Sequence, residues 1–212
     1  MKIQPNDITC GIINYNYSEY LERAILSVIN QIVKPSEIII YDDYSTDNSQ
    51  DIINCFKRVP EIKIILSKIN RGTCGAKDYF VRKAKTNWVF TIDADDTIQE
   101  DYIKELINID IDSKTAIIYT DLILKGDWNG YKVYNEFDAE LLDKKNYIHG
   151  GSLFRRDIYL KTEGYLNTPN DIYEDWHLWK RIVKLGYIGK YINKPLYNYY
   201  RHNNKPHRNE RG

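Results

Sequence analysis

The sequence predicts an α/β fold in which a mostly parallel sheet is flanked by helices. Within about the first 90 residues, apolar segments of strand composition alternate three times with amphipathic helical segments, and a fourth strand follows. Such alternation is typical of parallel strands joined by right-handed helical crossovers. Polar or acidic residues follow several of these strands directly. We therefore expect those residues to collect along one edge of the sheet, where ligands bind in open α/β folds.

The overall composition narrows the class of protein. At 212 residues the chain is long enough for one domain with a sizeable core. Lys+Arg and Asp+Glu each number 30, so the net charge is zero and general nucleic-acid binding is not indicated. Three cysteines without metal-ligand spacing (Cys10, Cys55, Cys74) predict reduced thiols in a cytoplasmic protein. No apolar run approaches about 18 residues and no hydrophobic leader is visible, so neither a membrane span nor a signal peptide is expected.

Four strands and three helices are predicted in the first half of the chain. The strands cover residues 8–13, 37–41, 62–66 and 88–92. The first helix starts at Ser18, a favourable N-cap residue, and its apolar positions recur every three or four residues up to Ile32. Pro35 prevents its continuation. The second helix follows the run 45–49, which is rich in capping residues, and the third covers residues 73–85.

The second half is less regular. Helices are predicted at residues 101–109, 157–161 and 174–185, and the last of them ends at Gly186. Strands are predicted at residues 116–124 and 131–134 and across residues 187–200. Residues 149–152 contain two glycines and predict a flexible joint.

The stretch 88–101, which reads WVFTIDADDTIQED, points to a ligand site. Five residues of strand composition run directly into Asp93, Asp95 and Asp96, separated only by Ala94. Carboxylates clustered at an open strand end are typical of a divalent metal site. Residues two apart in a strand face the same side, so Asp93 and Asp95 can reach one ion. An acidic turn that caps the next helix is the alternative explanation of the same residues.

The sequence contains no glycine-rich phosphate loop. It has neither the GxGxxG pattern of dinucleotide-binding folds nor a Walker A motif. Gly72 and Gly75 are better explained as turn and packing glycines. A site that holds phosphate without such a loop commonly uses a metal ion, which the carboxylate cluster can bind.

Several further motifs follow one another along the chain. They are the run Ile12-Ile13-Asn14-Tyr15-Asn16, the run Tyr41-Asp42-Asp43-Tyr44-Ser45, residues 70–84, the run Ile92-Asp93-Ala94-Asp95-Asp96, and Glu174-Asp175-Trp176. Together they resemble family 2 glycosyltransferases with the GT-A fold, from about Thr9 to His202. The resemblance implies a single GT-A (Rossmann-like) domain over residues 1–200, with a nucleotide-sugar-binding half (about 1–100) and a small acceptor-binding half (101–200). A mobile basic tail would follow at residues 201–212.

The resemblance also implies a reaction, an inverting and metal-assisted sugar transfer. The donor would be a nucleoside diphosphate sugar, with UDP as the expected nucleotide, and the acceptor a hydroxyl group on a glycan or on a lipid-linked or protein-linked glycoconjugate. The implied donor-binding residues are Tyr15, Asn16, Asp43, Lys77, Asp93, Ala94 and Asp95. The implied ligands of the metal, Mn²⁺ or Mg²⁺, are Asp95, Asp96 and His202.

By the same resemblance, Asp175 would be the general base, with Glu174 beside it, and Gly151 and Trp176 would contact the acceptor. Asp175 lies near the start of a predicted helix, where the helix dipole is expected to favour its ionised form, as a base requires. As an alternative, Glu174 and Asp175 cap that helix. Trp179 is predicted to be a core residue.

The chain departs from the family pattern at two positions. Tyr44 stands where many members have glycine, and Lys77 stands where many have arginine, which removes the bidentate hydrogen-bonding geometry. Two other functions stay open. A sugar nucleotidyltransferase would need a glycine-rich loop after the first strand, and a non-catalytic nucleotide-sugar-binding module would more naturally lack Asp95 or Asp175.

Overall fold

The computed structural model describes residues 2–166 and 173–202. Within these ranges nine strands form one sheet, accompanied by seven α-helices and a short 3-10 turn at Pro5–Asp7. The strands are β1 (Ile8–Asn14), β2 (Glu37–Asp42), β3 (Ile62–Leu66), β4 (Trp88–Asp93), β5 (Thr97–Ile98), β6 (Thr115–Gly126), β7 (Gly130–Lys132), β8 (Leu153–Arg155) and β9 (Ile188–Arg201). The helices are α1 (Ser18–Ile29), α2 (Ser49–Cys55), α3 (Gly72–Lys83), α4 (Tyr102–Asn108), α5 (Ala139–Lys144), α6 (Arg156–Tyr159) and α7 (Glu174–Lys184).

The sheet is parallel in its first half and mixed in its second. Strands β3, β2, β1 and β4 are neighbours in this order, and they run parallel, as predicted. The order of these strands was not predicted from the sequence. Strand β8 lies antiparallel to both β4 and β6, and β9 runs parallel to β6. Strand β7 pairs antiparallel with β6, and strand β5 pairs antiparallel with β9. The α/β class is confirmed, and the parallel strands are concentrated in the first half.

The strand register brings the polar strand ends together. Asn14 at the end of β1 pairs with Asp42, the last residue of β2, and Ile13 pairs with Asp93, the last residue of β4. Parallel strands present their carboxyl ends at the same edge of a sheet. The prediction that the strand-end acids share one edge is therefore confirmed.

Helix α1 has the buried face that its periodic apolar pattern predicts. Its buried residues are Leu21, Ala24, Ile25 and Val28, as the three- and four-residue spacing predicts. Ile32 lies beyond the end of the helix and is 57% exposed, so its assignment to this apolar face was wrong.

Helix α5 and strands β5 and β8 were not predicted. Helix α5 has a cap that could have revealed it, because Asp138 Oδ1 accepts a hydrogen bond from the Leu141 amide at 2.9 Å. Strands β5 and β8 contain only two and three residues. Such short segments carry no periodicity, and their conformation depends on pairing with strands distant in sequence.

Residues 149–152 are packed, and the prediction of a flexible joint was wrong. Ser152 is fully buried, and its hydroxyl donates to the His149 carbonyl at 2.7 Å. The Tyr102 hydroxyl, from α4, donates to the Gly151 carbonyl at 2.8 Å. These hydrogen bonds attach the segment to the core.

The C-terminal strand β9 extends to Arg201. The predicted mobile basic tail (201–212) lies outside the described residues from position 203 onward. Among the described residues, none of the helices combines the length and the apolar composition that crossing a bilayer requires.

We expect Gly11→Ala to destabilise the fold, because a Cβ atom at this position of β1 would lie 2.7 Å from ring atoms of the fully buried Phe80. The free energy of unfolding in urea should fall by about 1–3 kcal/mol, the usual effect of overpacking. In a Phe80→Leu background the same substitution should cost less, since the ring that obstructs it is gone. Equal losses in both backgrounds would show that the Phe80 ring is not the obstacle.

Candidate active site

A cavity of about 710 Å³ opens at the carboxyl ends of β1, β2 and β4. One side is lined by these strand ends and the start of α3, and the other by the β6–β7 hairpin, residues 146–151 and the start of α7. The predicted site residues that line it are Tyr15, Asp43, Lys77, Asp93, Ala94, Asp95, Asp96, Gly151, Glu174, Asp175 and His202. The structure thus brings eleven of the thirteen predicted residues together, whereas Asn16 and Trp176 are not among the lining residues.

Asp42 supports the wall of the cavity. It is fully buried, and its Oδ1 accepts from Asn14 Nδ2 at 2.7 Å and from the Ser45 hydroxyl at 2.6 Å. Its Oδ2 accepts from the Ser45 amide at 3.1 Å. Both carboxylate oxygens are bonded to the protein, so Asp42 joins the ends of β1 and β2.

Asp43 and Tyr15 lie at the cavity edge formed by β1 and β2. Both Asp43 oxygens accept from the Arg71 amide, at 2.9 and 3.0 Å, and burial raises the pKa of this carboxyl. The Tyr15 side chain is 46% exposed and offers an aromatic surface to the cavity. Tyr44, with φ of 69°, is 51% exposed and is not a lining residue.

Asn16, predicted to bind the donor, connects two loops. Its side-chain carbonyl accepts from the Thr46 amide at 2.8 Å, and its own amide donates to the Ser45 hydroxyl at 2.9 Å. The residue adopts a left-handed conformation with φ of 57°, which asparagine tolerates better than most residues. Its side chain is turned toward the loop after β2.

Lys77 links the two sides of the cavity. Its side chain, on α3, is only 4% exposed, and its ammonium lies 2.9 Å from Glu174 Oε1 and 3.3 Å from Asp93 Oδ1. This cation therefore bridges the end of β4 and the first turn of α7. Glu174 is a partner of this buried charge, which gives it a structural role in addition to any chemical one.

Asp175 has one carboxylate oxygen held by the protein. Its Oδ1 accepts from the Trp176 amide at 2.8 Å and from Asn146 Nδ2 at 3.2 Å. Within the described part of the chain, Oδ2 has no hydrogen-bond partner, and it lies next to Gly150, where an added Cβ would be 3.5 Å away. The Asp175 side chain is thus oriented by one oxygen while the other can accept a proton.

Burial raises the pKa of Asp175 to about 6, and the negative charge of Glu174 adds to this effect. The positive charge of Lys77 and the bonds from Trp176 and Asn146 act in the opposite direction. The expectation that the helix dipole would favour the ionised form was wrong in its net direction, because desolvation and the adjacent carboxylate dominate. A pKa near 6 still leaves Asp175 mostly ionised at neutral pH.

Asp96, predicted to be a metal ligand, is hydrogen-bonded to the protein at both oxygens. Only 3% of the residue is exposed; Oδ2 accepts from the Tyr197 hydroxyl and Oδ1 from the Tyr200 amide, both at 2.8 Å. Burial, together with the charges of Asp95 and Asp93, raises the pKa of this carboxyl well above its usual value. Asp96 fastens β9 to the end of β4.

Asp95 and His202 form the part of the predicted metal site that the structure brings together. Asp95 Oδ2 lies 3.8 Å from His202 Nε2, and the His202 ring stacks on Tyr20 with 4.2 Å between centroids. Among residues 2–166 and 173–202, no three His, Cys, Asp or Glu side chains converge as a complete metal site. A carboxylate and an imidazole nevertheless fit Mn²⁺ or Mg²⁺, since such ions often take few protein ligands and complete their shell with phosphate oxygens and water.

The two residues predicted to contact an acceptor differ in their placement. Gly151 lines the cavity, and a Cβ atom there would collide with the Tyr197 ring. The Trp176 indole instead donates to the Leu142 carbonyl of α5, which places it in the α5–α7 packing. The acceptor contact of Trp176 stays a prediction, whereas Trp179 is fully buried, as predicted.

The sequence analysis missed the residues of the opposite cavity wall. These are Leu122, Leu124, Trp128, Lys132, Tyr134, Asn146, Tyr147, Ile148 and His149. They come from the hairpin and the loop that precedes β8, and no motif marks them. His149 is buried beside Tyr197, and its pKa is lowered to about 3 by burial and by the nearby charge of Lys132, so the imidazole is neutral.

The sequence of the chain matches a known protein family. The family model for glycosyl transferase family 2 matches residues 9–162. The chondroitin synthase of Pasteurella multocida (strain Pm70) is 30% identical over 197 residues, covering 87% of this chain and 19% of the synthase. The chain therefore spans about a fifth of the length of that relative.

Solved structures share the fold at low sequence identity. TarS 1–349 of S. aureus in complex with UDP-GlcNAc matches with a TM-score of 0.77 at 15% identity, over 96% of this chain and 60% of that one. The mannosyltransferase PcManGT from Pyrobaculum calidifontis, in complex with GDP-Man and Mn²⁺, matches with a TM-score of 0.66 at 16% identity, over 91% and 57%. These likenesses confirm the predicted GT-A architecture.

We expect Asp96→Ala to lower the free energy of unfolding by about 2–3 kcal/mol, because it leaves the buried Tyr197 hydroxyl and Tyr200 amide without their acceptor. Asp95→Ala is the matched control, since its side chain is 18% exposed and should cost less than half as much. Urea unfolding measures both values. Equal small losses would contradict the structural role given to Asp96.

Proposed function

Because the chain belongs to glycosyl transferase family 2, we propose that it transfers a sugar from a UDP-linked donor to a hydroxyl group of a glycan, with inversion at the anomeric carbon. One observation carries the proposal. Asp175, whose Oδ2 has no bond within the described residues, lines the same cavity as Asp93 and Asp95. A candidate base and a polar edge able to hold a diphosphate therefore face one space.

The donor would lie along the strand-end edge of the cavity. Tyr15 would pack against the base, and Asp43 would accept a hydrogen bond from it. Asp93, Ala94 and Asp95 would hold the ribose and the diphosphate. The nucleotide sugars named for the complexes of TarS and PcManGT support a donor of this class.

In this proposal Lys77 would hold other side chains in place and would not contact the donor. Its ammonium is already paired with Glu174 and Asp93, so we assign it to holding those carboxylates in place. The direct contact with the donor that the resemblance implies would require the ammonium to leave a buried pair, which is costly.

Asp95 and His202 would hold Mn²⁺ or Mg²⁺ together with the donor diphosphate. When bound, such an ion neutralises the negative charge that develops on the leaving diphosphate. The Mn²⁺ named for the PcManGT complex supports this assignment.

Asp175 would remove the proton from the acceptor hydroxyl through its Oδ2. The acceptor oxygen forms a bond to the anomeric carbon as the bond to the diphosphate oxygen breaks, which inverts the configuration, and the proton passes to Asp175. Its raised pKa improves proton acceptance while leaving it mostly ionised at neutral pH. The likeness to a chondroitin synthase supports a polysaccharide as acceptor.

We expect Asp175→Asn to reduce turnover by about 10²-fold or more, because the amide cannot accept the acceptor proton. UDP release from a panel of UDP-sugars measures turnover. Calorimetric titration with UDP, GDP and CDP, each with and without Mn²⁺, measures nucleotide binding, which should be retained for UDP in the variant. Asp143→Asn, an acid 2.8 Å from Lys180, is the control.

Each result bears on a different part of the proposal. Turnover near the wild-type value in Asp175→Asn would remove that residue from the role of base. Absence of binding to all three nucleotides in the wild-type protein would overturn the transferase proposal and favour a non-catalytic module.

The protonation of Asp175 should set the acidic side of the pH profile of kcat/KM. Activity should rise as the pH increases through about 6 and then level off, since only the ionised carboxylate is a base. In Lys77→Met the midpoint should move to a higher pH, because the Lys77 charge lowers the Asp175 pKa. Lys180→Met should leave the midpoint in place. A Lys77→Met enzyme with an unshifted midpoint would contradict this coupling.

A further inference from the structure

The β6–β7 hairpin directs a cation into the cavity that contains Asp175. In this antiparallel pair Lys132 lies opposite Leu122, and Gly130 lies opposite Leu124. Residues directly opposite one another project to the same face of a ribbon. Leu122, Leu124 and Lys132 all line the cavity, whereas Tyr131, which alternates with them, is 68% exposed and does not.

Among the residues that the structure describes, Lys132 has no carboxylate partner of its own. In the described part of the chain its ammonium forms no ion pair within 4.0 Å, and it lies over the Tyr134 ring at 5.2 Å from the ring centroid. Burial and the positive charge of Lys145 lower the pKa of Lys132, whereas the negative charge of Asp175 acts in the opposite direction. An unpaired cation in a cavity wall is a site for an anionic group.

Trp128 adds an apolar surface to the same wall. It lies in the turn between β6 and β7, lines the cavity and is 51% exposed. The Arg201 guanidinium covers its ring at 4.0 Å from the centroid, which holds the indole in place. A half-exposed indole offers a flat surface on which the C–H face of a sugar ring can pack.

We propose that the β6–β7 hairpin is an acceptor subsite for a sugar that carries an acidic group, with Trp128 under the sugar ring and Lys132 paired with the carboxylate or phosphate. The inference rests on the proposed function, since it takes the Asp175 cavity as the place of transfer. It gives the acceptor a chemical class that the family membership leaves open. Lys132 would select among acceptors by charge, while Trp128 would bind charged and neutral sugars alike.

The test compares three probes that differ at one carbon, namely methyl β-glucoside, its 6-phosphate and methyl β-glucuronide. NMR titration of the full chain with bound UDP and Mn²⁺ should show at least one anionic probe binding about tenfold more tightly than the glucoside, the effect of one charge-assisted hydrogen bond. Lys132→Met should abolish that preference, and Lys125→Met, a lysine of β6 outside the cavity lining, should retain it. Trp128→Ala should weaken all three probes together, whereas Tyr131→Ala should not.

A second set of titrations shows whether the acidic group belongs to the acceptor or to the donor sugar. If Lys132→Met changes the affinity ratio of UDP-glucuronic acid to UDP-glucose while the acceptor probes are unaffected, the anionic group belongs to the donor sugar and the acceptor assignment is overturned. Equal affinity for charged and neutral acceptor probes in the wild-type protein, or an unchanged preference in Lys132→Met, would also overturn it. UDP binding in the wild-type protein and in Lys132→Met, measured first, shows that both are folded. It also separates failure of this inference from failure of the proposed function.

Discussion

The buried charge of Lys77 joins the parts of the molecule that form the cavity. Its ammonium lies between Asp93 at the end of β4 and Glu174 in the first turn of α7. Burying an ammonium ion costs several kcal/mol unless carboxylates offset the lost hydration. Helix α3, strand β4 and helix α7 must therefore keep these three groups together. Asp175 follows Glu174 directly in the chain, so its place in the cavity depends on the same constraint.

Hydrogen bonding separates the acids of the site into two groups. Asp42 and Asp96 have both carboxylate oxygens bonded to protein donors, and they hold the strand ends in position. Asp175 has one oxygen oriented by the protein and the other without a partner among the described residues. Aspartates at the same cavity thus have a structural or a chemical role, according to how many hydrogen-bond donors surround each carboxylate.

Periodicity predicted the elements whose burial pattern is local. Strands β1, β2 and β4 are buried along nearly their whole length, and helix α1 buries one regular face. The succession of strands β1 to β4 and helices α1 to α3 along the chain, and the parallel arrangement of these strands, were predicted correctly. Strands β5 and β8 are too short to show a period, and they exist because distant strands pair with them. Asn16 and Trp176 lie outside the cavity lining for a related reason. Their residue types suit ligand contact, but loop 45–46 and helix α5 provide their partners.

The sequence by itself determined the family, the α/β class and the sheet edge at which the acids collect, because motifs and strand-end positions are properties of short segments. Only the tertiary structure decided which groups face a ligand. The donors that occupy Asp96 come from residues 101 and 104 positions away, and the pairing of β7 with β6 turns Lys132 into the cavity. Side-chain availability depends on contacts between distant segments, and these contacts form only when the chain has folded.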